Sequence, residues 1–172
     1  MRPATRAAAW GGALAVAAIV VSVDQVAKAA VVAGIDRGER VEILPILDLV
    51  HVLNRGVAFG FLGDGSKGLV IAITVAALAA VIAWFAYDPR RPWAWLAVGM
   101  LVGGALGNLA DRVRQDAVID FIDFPAWPSF NFADIFISVG AAVLVLAAVS
   151  GVARDEGESA KPAAPPSDAG GG

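Results

Sequence analysis

Four stretches of this chain carry no charged residue: residues 7–23, 68–87, 92–110 and 135–152. A helix rises about 1.5 Å per residue, so each stretch is close to the ~20 residues that cross the hydrocarbon of a bilayer. A soluble core has no need to segregate apolar residues into runs of this length. The chain is 58% hydrophobic and only 17% charged, against roughly 45–50% and about 25% in soluble domains. The expectation is a membrane all-α protein with four transmembrane helices. Residues 1–6 are basic and precede an apolar run, which imitates a signal peptide. The run nevertheless reaches Val23 and passes into Asp24-Gln25-Val26-Ala27-Lys28 with no break, so a retained first helix is expected. One domain is expected over residues 1–153. Residues 154–172, rich in Pro, Gly, Ala and acids, read as a disordered cytoplasmic tail.

The polar remainder excludes several chemistries. A net charge of −3 with no basic face leaves no footprint for nucleic acid. The absence of cysteine removes disulfides, thiolate metal sites and cysteine nucleophiles together. The single histidine, His51, argues against a histidine-rich metal site or a Ser-His-Asp triad. Placed between two valines, it reads as a packing or surface residue. Ser22 and Lys28 are six residues apart in a helix, which puts them on different faces and disfavours a Ser-Lys dyad. A two-metal site would want more clustered ligands than this chain offers.

Residues 34–67 are too polar to span and too apolar for a disordered linker. Val41-Glu42-Ile43-Leu44 and residues 47–53, bracketed by Pro45 and by Asn54-Arg55-Gly56, predict one or two short strands in a small extramembrane sheet. Residues 54–61 read as a turn. Either Asn54 offers a donor and an acceptor to a peptide backbone, or the turn docks Phe59 and Phe61 on the membrane surface. Trp84, Phe85, Tyr87, Trp93 and Trp95 flank the Arg90-Arg91 loop, the pattern of a cytoplasmic interfacial belt. With the N-terminus inside, Lys and Arg divide evenly between the two sides, so orientation rests on Arg2, Arg6 and the compact Arg90-Arg91 loop.

The acids carry the functional argument, because carboxylates beside hydrocarbon are costly and need a reason. Asp24 and Lys28 are spaced i,i+4 and can pair on one helix face. Gly99, Gly103 and Gly107 repeat every four residues, a face that permits close helix approach, and they are also candidates to shape a lipid-facing groove. Asn108, Asp111 and Arg112 share one side of the end of that helix, where the arginine could orient a carboxylate. A surface loop is expected over residues 111–134, with an extended or hairpin segment at residues 118–124. Its Asp120 lies between Ile119 and Phe121, an apolar setting, and Asp123 falls on the opposite face. Asn131-Phe132-Ala133-Asp134 opens the last helix and sets Asp134 at a helix N-terminus, which suits a carboxylate. Two neighbouring carboxylates do not ionise together easily, so one can hold a proton while the other acts as base. Acid–base hydrolysis by Asp120 and Asp134 is therefore the leading reading. An ion-coupled carrier and a non-catalytic scaffold remain as alternatives.

The motifs Asp24-Gln-Val-Ala-Lys28, Asn54-Arg-Gly-Val-Ala-Phe59, Gly104-Ala-Leu-Gly-Asn-Leu-Ala-Asp-Arg112, Val118-Ile-Asp-Phe121 and Phe130-Asn-Phe-Ala-Asp134 occur in this order. Together they resemble the lipoprotein signal peptidases of bacteria, signal peptidase II. The resemblance implies an inner-membrane aspartic peptidase with four spans, both termini cytoplasmic, and a periplasmic-side β-cradle near the outer leaflet. It implies cleavage of a prolipoprotein before its diacylglyceryl-modified cysteine, contact with membrane lipid, and sensitivity to the cyclic peptide antibiotic globomycin. The family's catalytic pair falls on Asp120 and Asp134. Its supporting residues fall on Asp24, Lys28, Asn54, Gly56, Asn108, Asp111, Arg112 and Asn131. No metal or organic cofactor is implied, and a monomer is expected.

Overall fold

The computed structural model describes residues 5–55 and 66–159. Four long helices form, all apolar enough to cross a membrane. They are α1 (Arg6–Gly34), α2 (Ser66–Tyr87), α3 (Ala94–Gln115) and α4 (Phe132–Ser159). Between them lie β1 (Arg40–Leu44), β2 (Leu47–Asn54) and β3 (Val118–Asp123), an antiparallel sheet in the order β1-β2-β3. The sheet thus extends beyond residues 34–67, because the segment expected to be extended or a hairpin at residues 118–124 joins β2 as a third strand. Helix α4 continues to Ser159, past the point where a tail was expected to begin. Extending an existing helix adds a hydrogen bond for each residue fixed, so a polar continuation is inexpensive. Of the turn expected at residues 54–61, residues 56–61, Gly56 included, lie outside the described residues.

Helix α3 is the hub. It packs against α1, α4 and α2. The close approach comes from glycine. A Cβ at Gly99 would lie 2.6 Å from the Cβ of Val16, and one at Gly103 would lie 2.7 Å from that of Val20. On the other flank, a Cβ at Gly104 would come within 2.6 Å of the Ala133 carbonyl oxygen. The glycine face is consequently filled by α1 and does not line a lipid-facing groove. Leu14, Ile19, Leu69, Ile73, Val145 and Leu146 are exposed instead, the apolar surface that a bilayer would cover.

One end of the bundle is closed by Trp10 packed edge-on to Phe85 at 4.8 Å, over Ala9, Ala13, Ala94 and Val98. Arg6 donates to the carbonyl oxygens of Ala86 and Tyr87, at 2.8 and 3.2 Å, and ties α1 to the end of α2. At the other end α1 leads into the sheet. Asp116, in the left-handed conformation at φ 61°, turns α3 sharply into β3. His51 is buried there and holds the Ile35 carbonyl through Nδ1 at 2.9 Å, a packing role.

Gly103→Leu should destabilise the detergent-solubilised protein by about 1–3 kcal/mol through overpacking, seen as a lower thermal midpoint. Gly11, with nothing within 4 Å of an added Cβ, is the control: Gly11→Ala should leave the midpoint unchanged or raise it.

Candidate active site

The site lies where α1, α3 and α4 meet the sheet, and the backbone accounts for how it is assembled. Asn54 pairs with Val118 across β2 and β3, so Asp120 is its diagonal neighbour on the same face. Asn54 donates Nδ2–H to Asp120 Oδ2 at 2.8 Å. Beyond β3 the chain passes Ala126, at φ 61°, and returns so that Phe130 and Ile122 bridge. That bridge delivers Asn131 beside Asp120, where Nδ2 donates to Oδ1 at 2.7 Å. Asn131 also begins α4 in a reciprocal cap. Its Oδ1 accepts from the Asp134 amide at 3.0 Å, while Asp134 Oδ2 accepts from the Asn131 amide at 3.3 Å. One asparagine therefore links the two acids, and its capping role fixes their relative position.

Asp134 Oδ1 receives a second donor, Asn108 Nδ2 of α3, at 2.8 Å. Behind Asn108 lies Lys28, 2% exposed, with Nζ 2.9 Å from Asn108 Oδ1. The same ammonium sits 2.8 Å from Asp24 and 2.7 Å from Asp111, both buried. The i,i+4 pair expected within α1 is thus the core of a network across three helices. Asp24 Oδ1 accepts from the Ala133 amide in the first turn of α4 at 3.0 Å. Asp111 Oδ2 accepts from the Ile119 amide of β3 at 3.3 Å. Room for Asp24 depends on Gly107, where a Cβ would stand 2.6 Å from its Oδ2.

Arg112 is placed differently from expectation. Its guanidinium donates to the Asn108 carbonyl of its own helix at 3.4 Å, and it forms no ion pair among the described residues. Lys28, approaching from α1, holds the Asp111 carboxylate instead. Gln25 was missed in the sequence. Its Nε2 reaches the Gly107 carbonyl at 3.2 Å and Asp111 Oδ1 at 3.0 Å, and its Oε1 accepts from Arg114 at 2.7 Å. Only its adjacency to Asp24 hinted at this, because its partners lie more than 80 residues away.

Electrostatically the two strand aspartates separate. Burial pushes the Asp120 carboxyl up to about 6, helped by the like charge of Asp134 and opposed by the Asn54 and Asn131 amides and by Lys28. Asp123 goes down, held mainly by its hydrogen bond from Ser129 and by Arg40. Arg40 also meets Asp48 at 2.7 Å, so Asp123 belongs to a cross-strand ion cluster and not to the site. Beside Asp134 opens a cavity of about 300 Å³ lined by Trp127, Phe130, Ile135, Ser138 and Val139. Among the described residues no three His, Cys, Asp or Glu side chains gather as metal ligands.

Fold and site define the class first: a multi-pass membrane protein with a buried polar centre beneath an extramembrane sheet. Comparison with known proteins then gives the family. Residues 16–150 match the family described as signal peptidase (SPase) II. The chain is 43% identical over 132 residues to a lipoprotein signal peptidase of Pelotomaculum thermopropionicum, covering 76% of this chain and 86% of that protein. It is 37% identical over 155 residues to one from Brucella ovis, covering 87% and 96%. A solved bacterial membrane enzyme superposes with a TM-score of 0.76 at 29% identity, over 90% of this chain and 95% of that one. A second gives 0.74 at 31%, over 80% and 92%. The chain belongs to the signal peptidase II family, whose members are membrane peptidases.

The Asp120 carboxyl should titrate near pH 6 by carbon-13 NMR, above the usual ~3.9. Asn54→Ala should move the midpoint up, because a donor favouring the ionised form is lost. Asp134→Asn should move it down, because a like charge is lost. Since the folded state resists ionisation of Asp120, this group's contribution to stability should decline as pH rises from about 4 to about 6.

Proposed function

We propose that the chain is an aspartic endopeptidase that removes the signal peptide from diacylglyceryl-modified prolipoproteins, cutting before the lipidated cysteine. The observation that carries this reading is the pair of carboxylates, Asp120 and Asp134, tied to one asparagine, Asn131. Asp134, at the start of α4 with two N–H donors, serves as the base. Asp120, whose burial disfavours its ionised form, is the acid that donates the proton.

In the forward step Asp134 takes a proton from water, and the oxygen attacks the scissile carbonyl carbon. Asp120 gives its proton to the carbonyl oxygen, forming a neutral gem-diol. Collapse returns a hydroxyl proton to Asp120 while Asp134 protonates the leaving nitrogen, so the C–N bond breaks and both acids regain their starting states. Asn54, Asn108 and Asn131 hold the carboxylates, and Asp24, Lys28 and Asp111 hold Asn108 and the helices. No cofactor or metal enters this scheme.

The apolar cavity beside Asp134 supports a lipid-modified substrate, because acyl chains can stay in hydrocarbon while the peptide meets the acids. The enzyme is read as a monomer in the bacterial inner membrane, with both termini cytoplasmic and the sheet at the outer leaflet. An ion-coupled carrier would string ionisable groups through its spans, whereas here the ionisable centre gathers at the sheet end of the bundle.

Purified protein should cleave a lipid-modified prolipoprotein in a gel-shift assay. Asp120→Asn and Asp134→Asn should each slow cleavage at least about hundredfold, with the thermal transition retained. Wild-type rates in both variants would refute the carboxylate pair.

A further inference from the structure

The two asparagines that donate to the acids are oriented by different means. An amide presents an oxygen on one side and an NH2 on the other, and which faces a carboxylate decides between attraction and repulsion. Asn131 is set locally: its Oδ1 is claimed by the Asp134 backbone N–H, so its NH2 must face Asp120. Asn108 has no such local reference. Its Oδ1 meets Lys28 Nζ, and its Nδ2 meets Asp134 Oδ1.

An ammonium has three N–H donors and no acceptor. Here all three find partners: Asp24 Oδ2, Asp111 Oδ2 and Asn108 Oδ1, at 2.8, 2.7 and 2.9 Å. Two of these are carboxylates and present oxygen whichever way they turn. The third is the only one that could present the wrong atom. Lys28 lies almost fully buried, so water cannot stand in for a lost partner.

We propose that Lys28 is a positioning residue for peptide cleavage that acts through Asn108: the donor-only ammonium draws in the amide oxygen and thereby turns the NH2 toward Asp134. This rests on the reading of Asp120 and Asp134 as the catalytic pair. Lys28 thus acts on the chemistry from within the buried network, and Asp24 and Asp111 contribute by holding the ammonium. A flipped Asn108 would set oxygen against the Asp134 carboxylate and an NH2 against the Lys28 ammonium, two repulsions at once.

The test is a double-mutant cycle on kcat and KM with lipid-modified prolipoprotein and full-length protein in detergent. One arm is Lys28→Met with Asp111→Asn, which keeps the net charge of the buried cluster. The other is Asn108→Ala. The first arm alone should lower kcat about tenfold or more, with KM within twofold. On the Asn108→Ala background it should have less than a twofold further effect, because the residue it acts through is gone. The same loss in both backgrounds, or no loss in the first arm, would overturn the proposal.

If the charge-balanced variant does not fold, Asn108→Asp decides. It keeps an oxygen for Lys28 and imposes an oxygen on Asp134, so its kcat should fall below that of Asn108→Ala. An equal or higher kcat would sink the idea. Asp120→Asn and Asp134→Asn run in parallel separate the two readings. If they cut normally, the catalytic pair itself is wrong; if they are inactive and the cycle is additive, only the role of Lys28 is wrong.

Discussion

The buried ammonium of Lys28 between two carboxylates is the interaction on which the rest of this structure depends. Alone in this setting any of the three charges would carry a desolvation penalty of several kcal/mol. Together they are satisfied because each remaining valence is used. Lys28 gives its third proton to Asn108, Asp24 takes the Ala133 amide, and Asp111 takes the Ile119 amide. Those partners belong to α3, α4 and β3. Satisfying one lysine from α1 therefore fixes where three other elements stand, and breaking the arrangement would leave buried charge with no compensation.

Two kinds of packing share the bundle. Over most of its length α3 meets α1 through glycines, so backbones approach closely and dispersion holds them, the usual solution where lipid removes the hydrophobic drive between helices. At the sheet end the same seam continues as Gly107, where the space admits the Asp24 carboxylate in place of a methyl group. One repeat of small residues thus serves an apolar contact and then a polar one. The sheet closes the top: β2 supplies Asn54, β3 supplies Asp120, and the return at Phe130 supplies Asn131.

Much of this was legible in the chain. The four spans followed from charge-free runs, because burying an unpaired charge in hydrocarbon costs more than a helix can recover. The pairing of Asp24 with Lys28 followed from helical spacing, and the placement of Asp134 at a helix start from the Asn131 motif. Spacing misled at Arg112. It shares a helix side with Asn108 and Asp111, but the charge that meets Asp111 arrives from α1, 83 residues earlier in the chain. The glycine repeat was readable as a packing face, yet which helix would fill it was not.

By itself the sequence determined the local facts: where the spans lie, the capping at Asn131, strand alternation, and which polar residues stand at the ends of spans. These depend on neighbours within a few residues. Only the tertiary structure decided that Gln25 clamps α3, that β3 joins β2 as a third strand, and that Asn108 presents its NH2 to Asp134 with Lys28 behind it. Each of these pairs groups from separate elements. Orientation at such a site is set by donors and acceptors that meet only after the helices pack, and no spacing along one chain segment encodes them.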